Sequence, residues 1–190
     1  MVILLNAPPN SGKDTIADEL VRSLGFIKKE FKTSLYEAYF NYHHVPESMV
    51  NILMNYFTSR ELKDTPTELF NNKTPRQALI DFSEKVYKPL HGKDVFAKAA
   101  IEGLDANKHY VFSDCGFTEE VDSLAKSDIP LLLIQLDREG CTFDNDSRKY
   151  INLPTGYKNS YIKRINVSDD LTTTMTQVLI TIQDANDILN

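Results

Sequence analysis

The chain has 190 residues, 42% hydrophobic and 25% charged, with 21 Lys+Arg against 27 Asp+Glu and a formal charge of −6. This is the composition of a globular protein long enough to fold as one domain around its own core, so wholesale disorder is excluded. The acidic balance argues against a general nucleic-acid coat, and the apolar runs at 2–5 and 129–134 fall far short of the roughly 20 residues of a membrane span.

Short apolar runs alternate with longer segments of helical period, the pattern of an α/β protein. Strands are predicted over 2–6, 26–31, 109–114, 130–136 and 161–167. Near-continuous hydrophobic runs among them suit parallel strands buried on both faces. A helix over 13–24 puts Ile16, Ala17, Leu20, Val21 and Leu24 on one face, with Gly25 as its C-terminal cap. Thr74-Pro75-Arg76-Gln77 reads as a capping box that opens a helix with Ala78, Leu79, Phe82 and Val86 as its apolar stripe. Asp114 is positioned to cap a helix over 117–126, and a last helix is expected from about 170 to 189, its first turn weakened by Thr172–Thr174. The mainly helical stretch between the second and third strands is too long for a connector and is expected to be a substrate-binding insertion.

Ala7-Pro8-Pro9-Asn10-Ser11-Gly12-Lys13-Asp14-Thr15 follows an apolar strand and opens an amphipathic helix, the context that gives a Walker A match its meaning. Backbone N–H groups at such a bend, together with the helix N-terminus, make an anion site, and Lys13 adds a positive charge for β/γ-phosphates. Asn10, Ser11, Gly12, Lys13, Asp14 and Thr15 are therefore the expected nucleotide-binding residues. Ala7 stands where the pattern has Gly and Asp14 where it has Ser or Thr. Because Pro8 pushes the preceding residue to extended backbone, Ala7 is expected at negative φ, with the turn made around 10–12.

Gly12-Lys13-Asp14-Thr15, Ser113-Asp114-Cys115-Gly116-Phe117-Thr118-Glu119-Glu120 and Asp146-Ser147-Arg148 resemble the bacteriophage-type deoxynucleoside monophosphate kinases of the P-loop nucleotide kinase superfamily. The resemblance implies a three-layer αβα core with a five-stranded parallel sheet, a helical insertion that binds the monophosphate, and a lid. On this chain that gives a core of about 1–32 and 105–190, an insertion of about 33–104 and a lid of about 138–158. It also implies ATP, Mg²⁺ and transfer of the γ-phosphoryl group to a deoxynucleoside monophosphate. Members often carry Asp-x-Arg-Phe after the third strand; here Asp114-Cys115-Gly116-Phe117 lacks the Arg, which bears on substrate choice.

The remaining site residues follow from placement. Asp114 ends an apolar strand and should emerge at the carboxyl edge of the sheet, where open α/β sheets bind ligands. It and Asp14 are the candidates to hold Mg²⁺ through water. Arg76, a cation in a helix's first turn, opposes the macrodipole unless an anion sits there, so it is expected to clamp the acceptor phosphate with the free N–H groups of that turn. Residues 147–165 hold five basic side chains and no acidic one, and Arg138 and Arg148 of the lid region are expected to neutralise charge on the transferred group. Tyr36, Tyr39, Phe40 and Tyr42 should pack within the insertion, and the 4 histidines lack metal-ligand spacing.

Two other readings fit the same residues: phosphorylation of a hydroxymethylated base in phage DNA, or nucleotide binding without turnover. The 2 cysteines, Cys115 and Cys141, suit a reducing cytoplasm, and MVILLN has neither the basic region nor the cleavage site of a signal peptide. No membrane partner is expected, nucleic acid is disfavoured, and a homodimer is compatible with the sequence.

Overall fold

A five-stranded parallel sheet carries the fold, in the order β2-β3-β1-β4-β5. The strands are β1 (Val2–Asn6), β2 (Ile27–Lys29), β3 (Tyr110–Cys115), β4 (Leu131–Asp137) and β5 (Ser160–Asn166). The computed structural model describes residues 1–144, 146, 148–153 and 156–189. Five strands were expected and five are observed; β2 is the shortened one, because Phe31 begins a helix. The loop that follows the central strand β1 leads into the next helix at the carboxyl edge of this sheet.

The central strand explains why its sequence is apolar throughout. Alternate residues of β1 point to opposite faces, and both faces are covered. Ile3 and Leu5 pack with Val111, Leu132 and Ile134 beneath helices α1 (Lys13–Leu24) and α8 (Leu171–Leu189). Val2 and Leu4 pack with Phe112, Leu131 and Leu133 beneath α6 (Val95–Ile101) and α7 (Thr118–Ala125). The threonine-rich start of α8 is rescued by Asp170, whose carboxylate accepts from the backbone N–H of Thr172 and Thr173 and from the Thr173 hydroxyl.

The chain divides into two compact units: one of Met1–Phe31 with Ala97–Asn190, the other Lys32–Phe96. The expected insertion reached to 104. Ala97 and Ala100, however, pack into the sheet's core, so α6 from Ala97 onward belongs with the sheet.

The second unit holds nearly all of α2 (Phe31–Tyr42), then α3 (Glu47–Thr58), α4 (Pro75–Phe82) and α5 (Lys88–His91) around Tyr36, Leu53, Phe57, Phe70 and Leu79. Tyr36 stacks on Phe57, and Tyr39 meets Phe57 and Phe82 edge-on. Between α4 and α5 the helix widens into a π turn over Ser83–Tyr87, where Lys88 N–H bonds to the Ser83 carbonyl. Pro89 accounts for the widening: it has no N–H for the Lys85 carbonyl, and its ring would strike that carbonyl in a regular helix. No helix among the described residues is long and apolar enough to cross a membrane.

Candidate functional site

The loop between β1 and α1, expected to bind phosphate, turns where the sequence allows it. Positive φ falls on Asn10 (63°) and Gly12 (88°) and not on Ala7, so the alanine in place of glycine is accommodated without strain. Gly12 is the N-cap of α1, and the Lys13 side chain that follows is buried. Its Nζ donates to the carbonyl oxygens of Ala7 (2.8 Å) and Pro8 (2.5 Å), so the amine sits under the loop it follows. Burial brings this amine down to about 8, helped by the nearby positive charge of Arg148 and opposed by Asp14 and Asp146. Ser11 Oγ, fully buried in the same loop, makes no hydrogen bond among the described residues.

Asp14 projects from the first turn of α1. Its Oδ1 accepts from Ser113 Oγ (2.8 Å) and faces Lys28 Nζ at 3.2 Å. Ser113 lies near the end of β3, where the pairing slips: Leu4 faces Phe112 but Asn6 faces Cys115. This bulge inserts one extra residue at the sheet's carboxyl edge and re-aims the side chains there. Asp114 Oδ1 consequently accepts from Phe31 N–H (3.0 Å) and caps α2, not the helix after it.

The cap of α7 is Glu120, three residues into the turn, whose Oε2 accepts from Gly116 N–H (2.8 Å) and Phe117 N–H (3.0 Å). Burial pushes the Glu120 carboxyl up to about 8, and the negative charge of Asp114 adds to it; the two backbone bonds pull the other way and are outweighed. Burial likewise raises the Cys115 thiol, which is fully enclosed.

Arg148 completes this edge. Its Nε and Nη2 donate to the two carboxylate oxygens of Asp146 at 2.9 and 2.6 Å, and its backbone N–H reaches Oδ1 at 3.0 Å. The next residues are tied to the sheet. Buried Asn6 donates to the Lys149 carbonyl (3.0 Å) and the Cys115 carbonyl (3.2 Å) and accepts from Ile151 N–H (2.9 Å). Gln135 donates to the Ile151 carbonyl at 2.8 Å. The stretch expected as a lid is therefore not of one kind, because Ile151 is a core residue and its neighbours are anchored. Asn145, Ser147, Pro154 and Thr155 of that stretch lie outside the described residues.

Arg138 is placed differently. It donates to Asp169 Oδ1 (2.8 Å) and lines a shallow cleft with Gly12, Thr15, Ser168 and Thr174. Arg164, counted with the basic stretch, pairs with Asp137 (2.9 Å) and stacks over Tyr150.

Arg76 belongs to the second unit, and the ground for expecting an anion beside it needs correcting. Pro75 has no N–H, Arg76 N–H donates to the Lys63 carbonyl (3.0 Å), and Gln77 N–H donates to Thr74 Oγ (3.0 Å). The first turn of α4 thus offers no free N–H cluster. The guanidinium is instead paired with Asp64, through Nε at 2.6 Å and Nη2 at 3.3 Å, which offsets its clash with the macrodipole.

Sequence reasoning missed Asn6, Gln135, Gly116 and Glu120 as site-building residues. Glu120 was legible as the acidic third residue of a helix's first turn. Asn6 had the same signal that singled out Asp114, a polar residue ending an apolar strand.

No protein-family model matches the chain, and no curated protein sequence matches it. Among solved structures, a gluconokinase from Sinorhizobium meliloti 1021 is similar with a TM-score of 0.49 at 12% identity, covering 98% of this chain and 94% of that one. A shikimate kinase from Aquifex aeolicus VF5 gives 0.46 at 14% identity over 97% of each chain. A sugar kinase from Janibacter sp. HTCC2649 gives 0.44 at 13%, over 100% and 98%.

Proposed function

We propose that the chain is a P-loop phosphotransferase that moves the γ-phosphoryl group of ATP, as its Mg²⁺ complex, to a deoxynucleoside monophosphate. The observation that carries this reading is the sheet edge itself. A buried lysine sits under the loop that opens α1, a second cation, Arg148, lies close enough to lower that lysine's pKa, and Ser11 in the same loop has a buried hydroxyl with no partner among the described residues. Two cations at a concave helix N-terminus suit a polyphosphate.

In this reading the loop amides of 10–15 and the dipole of α1 hold the donor phosphates, and Lys13 exchanges the Ala7 and Pro8 carbonyls for phosphate oxygens. Arg148 stabilises charge on the transferred group, and Arg138 in its cleft meets the donor nucleotide. Arg76 meets the acceptor phosphate by releasing Asp64. Asp14 and Thr15 offer the hard oxygen donors that Mg²⁺ prefers, with Asp114 acting through water. Among the described residues no three His, Cys, Asp or Glu form a cage, which fits an ion held by one or two carboxylates plus substrate phosphates. An ion held by these residues would supply neutralisation of the donor phosphates' charge. A phosphate acceptor is already a nucleophile, so no general base is required.

The acceptor class rests on the resemblance carried by residues 12–15, 113–120 and 146–148. The test is ADP release from ATP·Mg²⁺ with a panel of ribonucleoside and deoxynucleoside monophosphates and hydroxymethylated DNA. Release that depends on a deoxynucleoside monophosphate is expected. Release with modified DNA alone would move the acceptor to nucleic acid, and ATP binding without release would leave a binding protein.

A further inference from the structure

Gly116 is the residue around which the edge of the first unit is built, yet it needs none of glycine's backbone freedom, since its φ lies outside the positive region. What it lacks is a side chain. A Cβ at this position would overlap Cβ, Cγ and Cδ of Arg148. The aliphatic stem of Arg148 therefore runs through the space that any other residue at 116 would fill.

Two further contacts fix that path. Asp146 holds the guanidinium by a two-pronged fork, and Asn6 holds the backbone immediately after it at Lys149 and Ile151. The same Asn6 amide group also donates to the carbonyl of Cys115, the residue before Gly116, so one side chain ties both partners of the crossing to β1.

We infer that Gly116 and Asn6 are positioning residues for Arg148: Gly116 by leaving the channel that the arginine stem crosses, and Asn6 by locking the two backbones on either side of it. Arg148 is thus a cation set in place before substrate arrives, not one delivered by closure. Preorganisation of this kind matters because a charge held in the reacting geometry needs no reorganisation at the moment of transfer. The positive charge that Arg148 exerts on Lys13 fits this placement.

The inference rests on the proposed phosphoryl transfer only for its kinetic arm, so two readouts are combined. The first is the Arg148 Nε–H resonance in a ¹H–¹⁵N spectrum. Held against Asp146 it should be sharp and slow to exchange, and it should be lost or shifted to the free-arginine position in Gly116→Ala. The second is turnover with ATP·Mg²⁺ and the best acceptor. Gly116→Ala should lose kcat about as much as Arg148→Ala does, at least about tenfold, with KM for ATP within about twofold. The double variant Gly116→Ala/Arg148→Ala should be no slower than Arg148→Ala alone, because both remove one interaction. Asn6→Ala should follow the same pattern, and Asn6→Asp, which keeps the Ile151 bond but sets a carboxylate oxygen against the Cys115 and Lys149 carbonyls, should lose at least as much.

A Gly116→Ala protein that keeps the arginine resonance and wild-type kcat overturns the inference, as does a double variant whose losses multiply. If Gly116→Ala alone fails to fold, pairing it with Arg148→Gly removes all three overlaps. Recovery of folding then supports the inference, and continued failure overturns it. A wild-type protein with no turnover on any acceptor, but with the resonance behaving as described, sinks the proposed function and leaves the positioning intact.

Discussion

The two units each hold an arginine gripped by an aspartate in a two-pronged fork, and the forks differ in burial more than in geometry. Arg148 and Asp146 are 22% and 15% exposed, with Nε and Nη2 bonds of 2.9 and 2.6 Å. Arg76 and Asp64 are 53% exposed each, with bonds of 2.6 and 3.3 Å. Water screens the second pair, and its worth is the 0–1 kcal/mol of a surface ion pair. Removing a partner from the first leaves a charge in a poorly solvated place, which costs about 3 kcal/mol. The same two residue types are thus a fixed structural joint in one unit and an exchangeable contact in the other. Exchangeability suits Arg76, which must give up its carboxylate to meet a phosphate, whereas Arg148 can keep Asp146 and offer the N–H groups that the fork does not use.

The largest effect expected along this contrast belongs to Lys13, the cation beneath the first fork. Lys13→Ala should lower kcat by about 10²–10³ while the thermal midpoint moves only slightly. Wild-type turnover in the folded variant would remove the first unit's cations from the mechanism. Next comes Asp146→Ala, which should lower stability by about 3 kcal/mol in a urea titration and lower kcat as Arg148 drifts. Asp64→Ala, its counterpart, should cost no more than about 1 kcal/mol. Equal losses in the two variants would show that burial does not separate the forks.

A pH series sharpens the same comparison. Glu120 sits beside the first fork with its carboxyl raised to about 8 by burial, whereas Asp64 of the second fork is held below the usual carboxylate range by its hydrogen bond with Arg76. A raised carboxyl holds its proton in the folded state at a pH where the unfolded chain has released it. Its contribution to stability is therefore full below the ordinary carboxylate pKa and is lost as pH rises through about 8. Wild type should lose stability between about pH 5 and 8, and Glu120→Gln should flatten that slope. A slope that survives the substitution places the titrating group elsewhere. Smallest of all, Arg76→Ala should raise KM for the acceptor with little change in kcat or stability. An equal rise in KM for ATP would reassign Arg76 to the solvated surface.

What the sequence made legible follows from the range of each signal. The strand–loop–helix over residues 2–24 was readable because strand, turn and helix cap are local: Pro8 restrains Ala7, Gly12 takes the positive φ, and Lys13 opens the helix. Strand β4 was readable because burial on both faces leaves an unbroken apolar run. Arg148 was readable as a cation in a basic stretch, but its partners were not. Gly116 acts through a side chain it lacks, and Asn6 through groups more than a hundred residues away. Gly116 leaves no pattern in neighbouring positions, and the polar end of an apolar strand marks Asn6 without revealing its partners. The misreading at Arg76 has the same origin, because Lys63 takes the Arg76 N–H across a turn that sequence spacing does not reveal.

Asn6 also dictates an order of assembly. Its bonds reach Cys115, Lys149 and Ile151 across separations of 109, 143 and 145 residues, and its strand is the centre of a parallel sheet whose partners come much later in the chain. Loop-closure entropy makes such pairings slow, whereas the contacts within Lys32–Phe96 are short in sequence. On a ribosome, β1 emerges before β3 and β4 and must wait, apolar on both faces, until they have been made. The phosphate loop can be set only after that, and Arg148 only after residues 149–151 dock. The edge that carries Lys13 and Arg148 is therefore completed late, and β1 is exposed to premature association while it waits.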